Sequence, residues 1–228
     1  MNIVVTGASR GIGRELVQLF AADEKVKKVF AVSRDEKKLA ELENEKVIPL
    51  AFDLSKKDLG LLSQDIVKHT VAVDVLVNNA GALVKKPFEE INADDLELLY
   101  NVNVFSPFRL VQMLLPMMGK SARGHVVNIS SMGGYQGSAK FAGLSAYSSS
   151  KGALAVLSEC LAEELKDKNI SVNCLCLGAA QTEMLSTAFP GYQAPLSAKQ
   201  MAQFIADFSL TGQNYFNGKV LPVSLSTP

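Results

Sequence analysis

The chain has 228 residues, 48% of them hydrophobic, with 23 basic and 23 acidic side chains and a formal net charge of zero. That length supports one sizeable core, and that composition excludes a disordered chain. A zero net charge, no Trp and scattered aromatics give neither the basic footprint nor the stacking platform of a nucleic-acid binder, and no apolar run reaches the ~18 residues of a membrane span.

The chain opens on Met-Asn-Ile-Val-Val-Thr-Gly, which reads as a strand and not as a signal peptide, so the expected location is cytoplasmic. Short Val- and Ile-rich runs at 3–6, 29–32, 47–52, 73–77, 125–129, 171–177 and 220–223 read as buried parallel strands. Helices are expected between them, near 11–22, 35–44, 56–69, 94–118, 148–168 and 198–208. This alternation predicts an α/β fold, a Rossmann-like doubly wound parallel sheet of seven strands with helices on both faces. With no composition break, linker or repeat, residues 1–228 read as a single domain.

In chain order, the first feature with chemical content is Thr6-Gly7-Ala8-Ser9-Arg10-Gly11-Ile12-Gly13, between the first strand and the first helix. Glycines permit the unusual turn and close backbone approach there, and a helix N-terminus suits a pyrophosphate. Nucleotide binding is the expectation. The second strand ends Val32-Ser33-Arg34, where NAD-selective folds place a carboxylate for the ribose 2′-hydroxyl. A guanidinium there suits a 2′-phosphate, and Arg10 adds a second cation, so NADP is expected over NAD. The competing reading makes Arg34 a solvated charge and Asp35 the ribose reader.

Pro107, preceded by Ser106, is expected to split 94–118 into a helix ending near Asn101 and another starting near Phe105, with Asn103 at the junction. Tyr147 and Lys151 lie four apart in a stretch able to form a helix, so phenol and ammonium share one face. A nearby positive charge lowers a phenol's pKa from ~10, which makes it usable as a proton donor and acceptor near neutral pH. The cysteines, Cys160, Cys174 and Cys176, are too few for a Cys-rich zinc site, and His69 and His125 lack ligand spacing, so no metal is expected. Cys174 and Cys176 read as buried inert thiols.

Taken together, these motifs resemble the short-chain dehydrogenase/reductase family in its compact single-domain branch, over essentially the whole chain. The resemblance rests on Thr6-Gly7-x-x-x-Gly11-x-Gly13, Asp53 after the third strand, Asn78-Asn79-Ala80-Gly81 after the fourth, Asn101-Val102-Asn103, Asn128-Ile129-Ser130-Ser131 after the fifth, Tyr147-x-x-x-Lys151, and Gly178 with Thr182 after the sixth. It implies hydride-transfer interconversion of a carbonyl and a secondary alcohol, and the NADP expected from Arg34 and Arg10 makes reduction the expected direction. It also implies roles. Tyr147 is the general acid or base, and Lys151 lowers its pKa and bonds the nicotinamide ribose. Ser131, rather than Ser130, orients the substrate carbonyl. Asn103 holds a water linking Lys151 to bulk. Asp53 bonds the adenine amino group with the Leu54 backbone beside it. Asn79, Ala80 and Gly81 line the ribose, and Thr182 bonds the carboxamide. Asn78 and Gly81 could equally serve only to knit strands together, and Thr182 could be a simple helix cap.

Two departures from the family's pattern bear on the substrate. Ser131 and Tyr147 are 16 apart, longer than the family's usual spacing, and Leu177 stands where a Pro usually precedes the glycine. A lid over about 183–196, with Met184, Leu185, Phe189 and Tyr192, joins Met132, Tyr135 and Phe141 in an expected apolar pocket. The family resemblance also implies a homo-oligomer, dimer or tetramer, paired through helices at 104–118 and 148–168. Their Val111, Leu114, Leu115, Leu154, Leu157 and Leu161 fit an intrachain core equally well. Two other functions stay open. One is a carrier-linked 3-oxoacyl reductase docking on Lys120, Arg123, Lys166 and Lys168. The other is a non-catalytic NADP-binding regulator.

Overall fold

A computed structural model describes residues 1–56, 58–120 and 122–225. Lys57, within the helix expected at 56–69, and residues 226–228 of the expected domain lie outside the described residues. Seven parallel strands form one sheet: β1 (Asn2–Thr6), β2 (Lys28–Ser33), β3 (Val47–Ala51), β4 (Val75–Asn78), β5 (Gly124–Ser131), β6 (Ile170–Leu177) and, last in the chain, β9 (Val220–Val223). Their order is β3-β2-β1-β4-β5-β6-β9, which is the doubly wound arrangement expected. The strands β7 (Ala180–Gln181) and β8 (Leu196–Ser197) pair with each other outside this sheet.

The helices are α1 (Gly11–Ala22), α2 (Glu36–Ala40), α3 (Gly60–Val67), α4 (Ala93–Tyr100), α5 (Ser106–Leu114), α6 (Ser145–Glu164), α7 (Glu183–Ala188) and α8 (Ala198–Thr211). Side chains alternate across the sheet, as strand geometry demands. Ile3, Val5, Val29 and Ala31 pack in one core with Leu16, Val17 and Phe20 of α1 and Met201 and Ile205 of α8. Val4, Phe30, Val32, Leu76 and Val126 pack in the other with Leu62 and Ile66 of α3, Leu110 and Leu114 of α5, and Leu161 of α6. Each such side chain contributes ~1.5–3 kcal/mol on burial. A strand buried on both faces must be apolar throughout, which is why these runs lacked polar alternation.

Several boundaries differ from the expectations. The helix expected at 35–44 stops at Ala40, because Asn44 makes a turn: its carbonyl accepts from Val47 N–H and its side chain from Lys46 N–H at 2.9 Å each. The segment around Pro107 is not broken. A π-helical stretch, Asn101–Phe105, joins α4 to α5, and Pro107 sits near the start of α5, where a missing N–H is tolerated. The expected helix pair is therefore one helical path with an extra residue wound into it. Finally, α6 starts at Ser145 rather than 148, so Tyr147 lies in its first turn.

Candidate active site

The carboxyl ends of β1, β4, β5 and β6 carry the residues singled out in the sequence. After β1, Gly7 and Gly11 adopt φ of +69° and +53°. A Cβ on Gly13 would lie 2.1 Å from the Gly7 carbonyl oxygen and 2.6 Å from Asn79 Nδ2, so α1 can approach the turn this closely only with glycine there. The turn is locked to β4. Thr6 Oγ1 accepts from Asn79 N–H at 3.0 Å and Ala80 N–H at 2.9 Å, and Asn79 Nδ2 donates to the Thr6 carbonyl at 2.9 Å. The Asn79 amide thus shapes the glycine turn, a role its expected place beside a ribose did not include. Arg10 precedes α1 without capping it by side chain, and the first turn holds no acid, so the helix N-terminus keeps its N–H groups for an anion. Ile12 packs on the core behind the turn.

The β2 end places Ser33 Oγ 2.8 Å from Ser9 Oγ, with Arg34 exposed beyond it. The Asp35 carboxylate accepts Lys38 N–H at 3.1 Å as the N-cap of α2. Burial acts to raise the Asp53 carboxyl. The Ser55 N–H and hydroxyl, at 3.0 and 2.9 Å, and the charges of Arg34 and Lys56 outweigh it and hold its pKa below the usual value. Leu54 is buried beside it.

Ser131 ends β5. Its Oγ accepts from Gly133 N–H at 3.2 Å, and its hydroxyl acts on the neighbouring Tyr147 phenol to lower that group's pKa. Ser130 points the other way, fully buried, and donates to the Lys151 carbonyl at 2.8 Å. The two serines alternate across the strand, so Ser131 faces Tyr147 while Ser130 faces the Lys151 backbone. Burial pushes the Tyr147 phenol above its usual pKa, and the Ser131 hydroxyl counters only part of that. Lys151 follows one turn later on the same face. It is 4% exposed, its Nζ donates to the Ile129 carbonyl at 2.8 Å, and burial brings its pKa down from 10.5 to about 8. Burial, rather than the Lys151 charge, therefore dominates the Tyr147 phenol in this geometry. The ammonium is turned to a carbonyl, and burial acts on both groups at once.

Asn103, completely buried in the π-helical turn, holds Ala82 by both backbone groups: Oδ1 accepts from Ala82 N–H at 2.8 Å and Nδ2 donates to its carbonyl at 3.0 Å. Nδ2 also donates to Ser150 Oγ at 3.0 Å. Its side chain thus ties Ala82 to the start of α6. A Cβ on Gly81 would lie 3.5 Å from Lys151 Nζ and 3.6 Å from Asn103 Oδ1, which places Gly81 directly against this cluster. Asn78 knits strands, donating to Asn128 Oδ1 at 2.8 Å. After β6, Gly178 N–H donates to the Val223 carbonyl at 2.9 Å. Thr182 caps α7, accepting Leu185 N–H at 3.2 Å, and its methyl lies 3.4 Å from where a Gly11 Cβ would stand.

The expected pocket is only partly assembled. Met132 is buried against Cys174 and Cys176, with Tyr135 packed on the same cluster. It faces the interior because the turn after Ser131 folds back onto α6. Gly134 makes that possible, since a Cβ there would lie 2.5 Å from the Lys151 carbonyl carbon. The adjacent pair Gly133-Gly134 was the available signal for this contact. Phe141 instead lines a groove of about 610 Å³ with Pro87, Phe88, Lys140, Leu144 and Ser148, next to Tyr147 in the chain. The α7 segment is tied down by Lys85, whose Nζ donates to the Ala188 carbonyl at 3.1 Å and lies 4.0 Å from the Phe189 ring centre. Ser150, Ala82 and Lys85 carried no sequence signal, because their roles come from partners far away in the chain.

A family model described as short chain dehydrogenase matches residues 1–193. The chain belongs to that family. The ketoacyl reductase HetN of Nostoc sp. is 30% identical over 191 residues, which is 80% of this short-chain dehydrogenase but only 65% of HetN. The 7alpha-hydroxysteroid dehydrogenase of Escherichia coli K12 is 31% identical, with 97% of this chain and 91% of that protein covered. A solved short chain dehydrogenase from Shigella flexneri 2a, complexed with NADP, superposes with a TM-score of 0.85 at 29% identity, covering 97% and 95% of the two chains. Other solved proteins of the same fold are complexed with NADH. This dehydrogenase is accordingly an oxidoreductase of a family that uses nicotinamide cofactors. No described helix is long and apolar enough to cross a membrane.

Proposed function

We propose that this dehydrogenase interconverts a carbonyl and a secondary alcohol with NADP(H), as a cytoplasmic reductase in a single domain. The observation that carries the reading is the convergence of the Ser131 hydroxyl, the Tyr147 phenol and the buried Lys151 ammonium at the end of β5 and the first turns of α6. The Ser131 hydroxyl orients the substrate carbonyl and stabilises its developing negative charge. Tyr147, held in its neutral form by burial, delivers the phenolic proton to the carbonyl oxygen. Lys151, protonated below about pH 8, puts a positive charge one helical turn from the phenolate that results. Asn103 positions the start of α6 through Ser150, whose hydroxyl donates to the Tyr147 carbonyl at 2.7 Å.

The glycine turn and the uncapped N-terminus of α1 fit a dinucleotide: Gly7, Ser9, Gly11, Ile12 and Gly13 would take its pyrophosphate side, and Arg10 would join Arg34 at the 2′-phosphate. Asp53 and Leu54 would take the adenine, Asn79, Ala80 and Gly81 the ribose, and Gly178 and Thr182 the carboxamide end. When bound, the cofactor supplies the hydride to the carbonyl carbon. NADP is favoured because Arg34 stands at the β2 end while Asp35 is engaged as a helix cap. The Phe88 and Phe141 groove supports a substrate apolar or aromatic at one end. Exposed Leu96, Leu98, Phe105, Phe108 and Val156 on α4 to α6 support a homo-oligomer, since Val111, Leu114 and Leu154 are spent in the intrachain core.

NADPH and NADH oxidation against a panel of aliphatic and aromatic ketones, aldehydes and diketones tests the reading, with Tyr147→Phe as control. NADPH-dependent turnover reduced ~10²- to 10⁴-fold in the variant is expected. Turnover that survives Tyr147→Phe would remove the assigned acid, and NADPH binding without turnover would favour the regulator. The name of HetN favours a second reading, a carrier-linked 3-oxoacyl reductase. Failure to reduce a carrier-bound 3-oxoacyl thioester would end it.

A further inference from the structure

The first residue of α7, Glu183, reaches back to the glycine turn after β1 and to α2. Its Oε2 lies 3.1 Å from Arg10 Nη1 in the glycine turn, and its Oε1 lies 3.8 Å from Lys38 Nζ in α2. One carboxylate therefore bridges the cations of two segments, the turn after β1 and the helix after β2. These two segments flank the place where a doubly wound fold reads the ribose 2′ position. Arg14 is engaged separately by Glu41 at 2.8 Å, and Arg34, exposed at the β2 end, adds a cation outside the bridge. The carboxylate is held near the site because the preceding Thr182 packs against Gly11 and caps α7.

We propose that Glu183 is a specificity-determining residue, a built-in anion that competes with the cofactor's 2′-phosphate for Arg10 and Lys38. A carboxylate and a phosphate present the same acceptor oxygens to the same donors, and two anions on one cation pair repel each other. Binding a 2′-phosphorylated cofactor must therefore displace Glu183, whereas a cofactor with a free 2′-hydroxyl leaves the bridge in place. The bridge acts as a discount on NADP affinity and ties cofactor choice to the N-terminal end of α7. This inference rests on the NADP reading above.

The test uses the whole chain and binding, not turnover. Dissociation constants are measured for NADPH, NADH, 2′,5′-ADP and 5′-AMP with wild type and Glu183→Gln. The pair is exposed and screened, so its removal is expected to tighten NADPH and 2′,5′-ADP by about two- to fivefold and to leave NADH and 5′-AMP unchanged. The gain should vanish in an Arg10→Gln/Lys38→Gln background. Equal shifts for both ligand classes, or no shift, would overturn the competition. Wild type that prefers NADH while Glu183→Gln still favours the 2′-phosphorylated ligands would sink the NADP reading and keep this one. NADPH preference with an unmoved ratio would do the reverse.

Discussion

Lys151 is expected to be a functional group held in place at the expense of stability, and Lys151→Met tests this. Its pKa falls from 10.5 to about 8 on folding, with burial as the main cause and Cys174 and Cys176 offsetting part of it. At ~1.4 kcal/mol per pH unit, that difference corresponds to about 3 kcal/mol against the charged, buried form. The substitution relieves this cost, but it strips the Ile129 carbonyl of its donor, which costs ~1–3 kcal/mol. At pH 7 the variant should then be as stable as wild type or up to ~2 kcal/mol more stable, while reductase activity is lost. The sign of the pH dependence follows from linkage. Between about 8 and 10.5 the unfolded chain holds the Lys151 proton and the folded chain does not, so wild-type stability gains over this window. Below it the ammonium is charged in both states and the full cost applies. Urea unfolding of the cofactor-free protein at pH 7 to 10 should show wild type catching up with Lys151→Met as pH rises. Parallel curves for the two proteins would refute the buried-ammonium account.

The two serines at the end of β5 should separate cleanly. Ser131→Ala is expected to lower kcat/KM ~10²-fold with an unchanged melting temperature. Ser130→Ala, which loses the buried bond to the Lys151 carbonyl, is expected to cost ~1–3 kcal/mol in unfolding free energy and much less activity. The opposite pattern would exchange their roles. In Gly13→Ala the new Cβ meets the Gly7 carbonyl, and the backbone must shift, so stability should fall by ~1–3 kcal/mol and NADPH binding should weaken with it. Calorimetry showing native affinity in that variant would contradict the close packing of α1 on the turn.

What the sequence determined by itself was the part written in local pattern. Buried parallel strands must be apolar on both faces, so the Val- and Ile-rich runs marked all seven strands of the sheet. The glycine turn was legible because only glycine allows the approach seen at Gly13, and Tyr147 and Lys151 because a helix puts residues four apart on one face. Only the tertiary structure decided what depends on residues distant in the chain. The Pro107 segment stayed helical because a π turn absorbed the extra residue, and Asn103 spent its amide on Ala82, 21 positions away. Burial, a property of the whole packed molecule, raised the Tyr147 pKa where a local pair alone would have lowered it. The Glu183 bridge to Arg10, 173 positions apart, exists only once β1 and β6 lie in the same sheet with their carboxyl ends at the same edge.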